Sequence, residues 1–141
     1  MQKFPNAICY SSPGLAKKRP DINFSKNLEM QAEDEWAEEI DQTLFKGSFV
    51  MQEVVFFHRS SKTLILTDLI ENFKPESFNL WQRTLAKLTG ILSPNGKIPI
   101  DWRVSFIFGK KEARKSLSIL MDWQPKNIIV SHGECVFWRW S

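Results

Sequence analysis

Two runs, "MQEVVFF" (51–57) and "TLILT" (63–67), restrict this chain more than anything else in it, together with the five polar residues "HRSSK" that join them. Both are rich in β-branched and aromatic residues, and the linker has hairpin length, so the spacing predicts an antiparallel pair with 58–62 at its tip. Each run is almost continuously apolar rather than alternating, which is the pattern of a sheet covered on both faces. A layered domain follows.

The remaining elements fit around that sheet. "EIDQTLF" (39–45) alternates imperfectly and reads as a further strand, broken by Gly47 and Ser48. Upstream, "AICY" (7–10) reads as a short strand with Cys9 in it, and "SSPGLAKKRPD" as a turn with one helical turn before Pro20. "PESFNLWQRTLAKLTG" places Phe78, Trp81, Leu85 and Leu88 at helical spacing, with Gly90 where a helix C-terminus favours it. A second helix spans "KKEARKSLSILMDW", with Ala113, Leu117, Leu120 and Met121 on one side. Between the helices, "ILSPNGKIPIDWR" is punctuated by Pro94, Asn95, Gly96 and Pro99 and reads as a connection. After Pro125, "NIIVSHGE" is a strand ending in polar residues, as "TLILTD" does. The expected fold class is therefore α/β, or layered α+β: a mixed sheet with two main helices packed on it, as one domain over residues 1–141.

Composition narrows the function. At 141 residues with 43% hydrophobic side chains the chain can bury one core. No run of about 18 apolar residues is present and the first residues lack the apolar segment of a secretion signal, so a cytoplasmic chain is expected. Cys9 and Cys135 are read as reduced thiols. The block "EMQAEDEWAEEID" holds seven acids and no base, and is expected to be loop or frayed helix; the basic runs "KKR" and "KK" are too short for a nucleic-acid interface, so no nucleic acid is expected as a partner.

Asp68 and His132 carry the chemistry that the sequence offers. Each directly follows an apolar strand, and ligands of layered α/β folds gather beyond strand ends, where side chains leave the packed sheet on a rigid backbone. A carboxylate and a neutral imidazole are ordinary ligands of zinc, manganese or iron. Structural readings stand beside this one. Asp68 and Glu71 have the spacing of a helix N-cap and its third residue, and His132 before Gly133 suits a turn histidine bonded to backbone. His58 falls in the hairpin loop, at the end of the strand pair away from Asp68, because about five strand residues span roughly 17 Å. No phosphate-binding glycine loop, paired-histidine helix or nucleophile turn is present, and the catalytic residues stay unknown.

The stretches "SSPGLAKKRPDINF", "FKGSFVMQEVVFFHRSSKTLILTDLIENF" and "IIVSHGE" resemble an uncharacterised family, a domain of unknown function related in fold to the metallo-β-lactamases. That resemblance implies a metallo-β-lactamase-like half-sandwich, with this chain corresponding to the C-terminal part of such a domain and shortened at its N-terminus. It implies that Thr67-Asp68 stands where the superfamily has the acid that bridges two metals, and Ser131-His132 where a late strand supplies a terminal ligand. The metal implied is zinc or iron, if one is held at all. The superfamily's His-x-His-x-Asp-His motif has no counterpart, and "FKGSF" stands where a Gly-His turn is expected. Two ligands fall short of the roughly three that a catalytic zinc needs. An incomplete site, not catalytic alone, is the leading expectation; a hydrolase completed by a missing N-terminal segment, a neighbouring polypeptide or a homodimer is the second. An uncovered sheet face is also expected, and six Trp and eleven Phe would supply apolar surface for a partner. A third reading makes "FNLWQRTLAKLTGIL" a membrane-surface or protein-interaction helix. Any helix packed on a sheet shows the same stripe, so a core helix is expected there and a membrane is not.

Overall fold

A computed structural model describes residues 4, 6–50 and 52–137, without the side chain of Asp101. In chain order the elements are β1 (Tyr10–Ser11), α1 (Leu15–Lys18), β2 (Lys26–Asn27), β3 (Ile40–Phe45), β4 (Glu53–His58), β5 (Thr63–Ile65), β6 (Glu71–Asn72), α2 (Leu80–Thr89), α3 (Ile100–Ser105), α4 (Lys110–Asp122), β7 (Asn127–Ile129), β8 (His132–Gly133) and β9 (Val136–Phe137). The predicted hairpin is β4–β5, with Phe57 opposite Leu64 and His58 opposite Thr63. Met51, the first residue of the predicted strand, lies outside the described residues.

The main sheet runs β3-β4-β5-β7-β9. It is mixed: β5 and β7 are parallel, and every other pairing is antiparallel. A parallel neighbour requires a crossover, and residues 66–126 with α2, α3 and α4 provide it. Strand side chains alternate between two cores. Phe45, Val55, Phe57, Leu64, Leu66 and Val130 face Trp102, Phe106 and Leu120 of the crossover. Leu44 and Val54 face the other way, onto Leu28, Tyr10 and Trp36 of the N-terminal segment. The expected uncovered face is thus covered over β3 and β4 by this second, smaller core. Over β7 and β9 no described residue covers it, and Ile129 and Phe137 are exposed. Trp138 and Trp140 lie outside the described residues.

The helices depart from the sequence reading in an instructive way. α2 ends as predicted, with Gly90 closing it in the left-handed conformation, but it begins only at Leu80, where Asn79 and Gln82 form a reciprocal capping box that leaves Phe78 outside the helix. Its stripe points outward, however. Trp81 is 74% exposed and Leu88 77%, whereas Ala86 is the buried residue of the helix. The expectation of a core helix built on Trp81, Leu85 and Leu88 is therefore wrong. α4 is likewise rotated from its expected setting. Leu120 and Ser116 are buried, with Ala113 beside the core, while Leu117 and Met121 are exposed. Ser116 explains the setting, since its Oγ accepts the backbone N–H of Lys46 at 3.0 Å and donates to the Glu112 carbonyl at 3.1 Å.

Three smaller differences have local causes. Residues 91–103 were expected to be connection only, yet α3 starts within them at Ile100. Pro99 stops nothing there, because first-turn N–H groups need no helical partner, and the Pro99 carbonyl accepts from Arg103 N–H at 2.9 Å. The first strand starts at Tyr10, not Ala7, leaving Cys9 just outside it. Gly47, in "FKGSF", serves packing: a Cβ there would meet the Gly109 carbonyl at 2.5 Å, and its φ is 110°. Among the described residues no helix is long and apolar enough to cross a membrane.

Candidate functional site

Asp68 does not cap a helix. The residues after it bend and enter β6 at Glu71, so the N-cap reading of Asp68 and Glu71 fails for want of a helix. Its carboxylate instead meets the imidazole that the sequence placed at the other strand end. Asp68 Oδ1 and His132 Nε2 are 2.8 Å apart, across 64 residues of sequence.

Each partner is held by its own scaffold. Leu66 N–H donates to the Ile129 carbonyl at 2.9 Å, which extends the β5–β7 pairing to the last residue before Thr67. The turn beyond is clamped by Glu53, at the start of β4, whose carboxylate accepts the N–H groups of Thr67 at 2.6 Å and Asp68 at 2.9 Å. Glu53 is buried, and burial pushes its carboxyl above the ordinary carboxylate range against the opposing pull of those amides. Sequence reasoning missed it. The available signal was an acid standing inside the apolar run "QEVVFF", where an uncompensated charge would be costly.

His132 opens β8, which pairs parallel with β6 so that Glu71 lies opposite His132. The two strands come very close at Gly133, where a Cβ would fall 2.1 Å from the Asn72 carbonyl oxygen at a φ of 106°. Buried Asn72 ties the corner together: its Nδ2 donates to the Glu134 carbonyl at 2.7 Å, and its Oδ1 accepts Gly96 N–H at 3.1 Å. A glycine and an amide thus fix the strand that carries the imidazole. The expected alternative, a turn histidine bonded to backbone, does not describe His132, which sits in a strand and faces a carboxylate. A cavity of about 410 Å³ lies beside Asp68, lined also by Leu15, Lys18, Glu53, Phe56 and Trp102. Asp68 lines it and His132 does not.

His58, expected in the hairpin loop, is instead the last residue of β4, opposite Thr63, with its Nδ1 2.7 Å from Ser61 Oγ. Among the described residues no three His, Cys, Asp or Glu side chains gather in a way that could hold a metal ion. Asp68 and His132 are suitable donors in kind and adjacent in space, but the atoms closest together are joined to each other. The described residues do not amount to the set a catalytic zinc requires.

The backbone superposes on a solved metallo-β-lactamase, the DIM-1 enzyme exposed to ceftazidime, with a TM-score of 0.53 and 18% sequence identity. The match covers 94% of this chain and 52% of that one. The fold is metallo-β-lactamase-like. This chain spans about half the length of that enzyme's chain. No protein-family model matches the chain, and no curated protein matches it in sequence.

Proposed function

We propose that this chain is a metallo-β-lactamase-like protein of the uncharacterised family its sequence resembles, carrying an incomplete site for zinc or iron at Asp68 and His132 and not catalytic alone. One observation carries the reading. A carboxylate and an imidazole from distant strand ends converge to 2.8 Å, and no third donor among the described residues joins them. A metal-bound hydroxide needs an ion held firmly enough to acidify its water, which two donors do poorly.

The half-sandwich belongs to the same proposal, with residues 1–141 forming one domain that corresponds to the C-terminal part of the larger fold. The exposure of Ile129 and Phe137 on β7 and β9 supports it. A second reading is favoured by the coverage of about half the lactamase chain. In it, a neighbouring polypeptide or a second copy supplies the remaining donors and the assembly is a metal-dependent hydrolase.

Calorimetric titration of the chain with zinc tests the first reading. Affinity weaker than about micromolar is expected, falling further in both Asp68→Ala and His132→Ala, with no turnover of ester, thioester or phosphodiester substrates. One tightly held ion per chain with such turnover would sink it, as would zinc binding indifferent to both substitutions. Zinc-driven dimerisation in the ultracentrifuge, lost in His132→Ala, would select the second reading.

A further inference from the structure

Residues 74–121 hold nine Lys and Arg against three acids, while the remainder of the chain holds ten against thirteen. The same third of the chain carries ten of the eighteen exposed large hydrophobic side chains among the described residues. Basic charge and unburied apolar surface therefore coincide.

α2 brings them together. Its outward stripe of Leu80, Trp81, Leu85 and Leu88 is bordered along one edge by Arg83 and Lys87, one helical turn apart, and the helix has no acid. Arg83, Lys87 and Lys97 also line a cavity of about 430 Å³ with Gly90, Ser93 and Asn95, and no acid lines it. Ser93 reaches Glu134 at 3.1 Å, but that carboxylate is already engaged by Lys74, also at 3.1 Å. Arg83, Lys87 and Lys97 make no ion pair among the described residues, whereas Arg19, Lys26, Arg59, Lys74 and Lys115 each do. Farther along, Arg103, Lys110 and Arg114 surround an apolar groove floored by Phe45, Phe106 and Leu117.

From this we infer that the α2 face docks on an anionic phospholipid bilayer, with a lipid phosphate in the Arg83–Lys87–Lys97 cavity and the Trp81 stripe in the boundary with the acyl chains. Lys and Arg side chains extend beside buried apolar neighbours and leave their charged ends at headgroup level, which matches the border of this stripe. A second copy on this face would set like charges against each other. The surplus of cations fits a surface that is itself negative, where each cation strengthens binding by roughly fivefold.

Co-sedimentation with phosphatidylserine-rich vesicles tests the inference. Binding to these and not to pure phosphatidylcholine vesicles is expected, weakening as salt is raised. The double variant Arg83→Gln with Lys87→Gln should bind about thirtyfold more weakly, and Trp81→Glu should release the chain. Leu88→Glu, at another exposed position, is expected to repeat the Trp81 result, and an unchanged circular dichroism spectrum in each variant ties the losses to the surface. Equal sedimentation with neutral and anionic vesicles would overturn the inference, as would wild-type binding by the variants. So would either of two results without vesicle binding: saturation by inorganic phosphate alone, or self-association abolished by Trp81→Glu.

Discussion

α2 and α4 read alike in the sequence and behave oppositely in the fold. Each segregates apolar residues onto one side at helical spacing. α4 buries Leu120 and Ser116 against the sheet, and its N-terminal glycine meets Gly47 so closely that a Cβ on Gly109 would fall 2.0 Å from the Gly47 carbonyl oxygen. α2 buries Ala86 alone and turns its large side chains away from the protein. Both helices seat through a small residue, Ala86 in α2 and Ala113 in α4, but only α4 also carries a large one, Leu120, into the core. An apolar stripe tells that a helix has a sided surface; it does not tell which body covers that side.

The largest expected effect lies on the packed helix. Leu120 belongs to the main core, so Leu120→Ala should cost about 2–5 kcal/mol through lost burial and the cavity left behind. Urea unfolding would measure it. A loss below about 1 kcal/mol would mean that α4 is no better seated than α2, and the contrast would disappear.

A smaller effect is expected at the polar anchor under the same sheet. Glu53 clamps the Thr67–Asp68 turn, and Glu53→Gln leaves one amide facing an NH₂ group instead of an acceptor, which should cost about 1–3 kcal/mol. The pH dependence follows from the raised carboxyl. A folded state that holds the proton more tightly than the unfolded chain gains stability that is complete below the ordinary carboxyl range of about 4 to 5 and is lost as pH rises through the folded value. The stability difference between wild type and Glu53→Gln should therefore shrink as pH rises. A difference constant with pH would show that Glu53 titrates as it does in the unfolded chain.

The parts of the fold legible in the sequence were those set by uninterrupted β-rich runs. β4, β5 and β7 follow from their residues, and so does Asp68 just beyond β5; the strand expected over 127–134 instead ends at Ile129, and His132 opens the separate strand β8. The convergence of Asp68 and His132 was not legible, since it depends on β6 and β8, two-residue strands brought together by Gly133 and Asn72 across some sixty residues. α3 was hidden by the prolines around it. Glu53 was hidden because a buried acid that is satisfied by backbone amides looks, in sequence, like a surface residue at a strand edge. The narrower family, beyond the fold, rests on residue resemblance alone.

The smallest expected effect is the most direct test of the outward helix. Leu88→Ala removes a side chain that is 77% exposed, so little burial is lost and Ala suits a helix better than Leu. The unfolding free energy measured in urea should stay within about 0.5 kcal/mol of wild type, as it does for surface substitutions. The contrast with Leu120 is then a contrast of at least a kilocalorie between two leucines that the same periodicity places on apolar stripes. A loss at Leu88 approaching that at Leu120 would mean that the α2 stripe is covered in solution by protein, either a second copy or residues outside those described. Concentration dependence of the midpoint separates these two, because only self-association makes stability depend on how much protein is present.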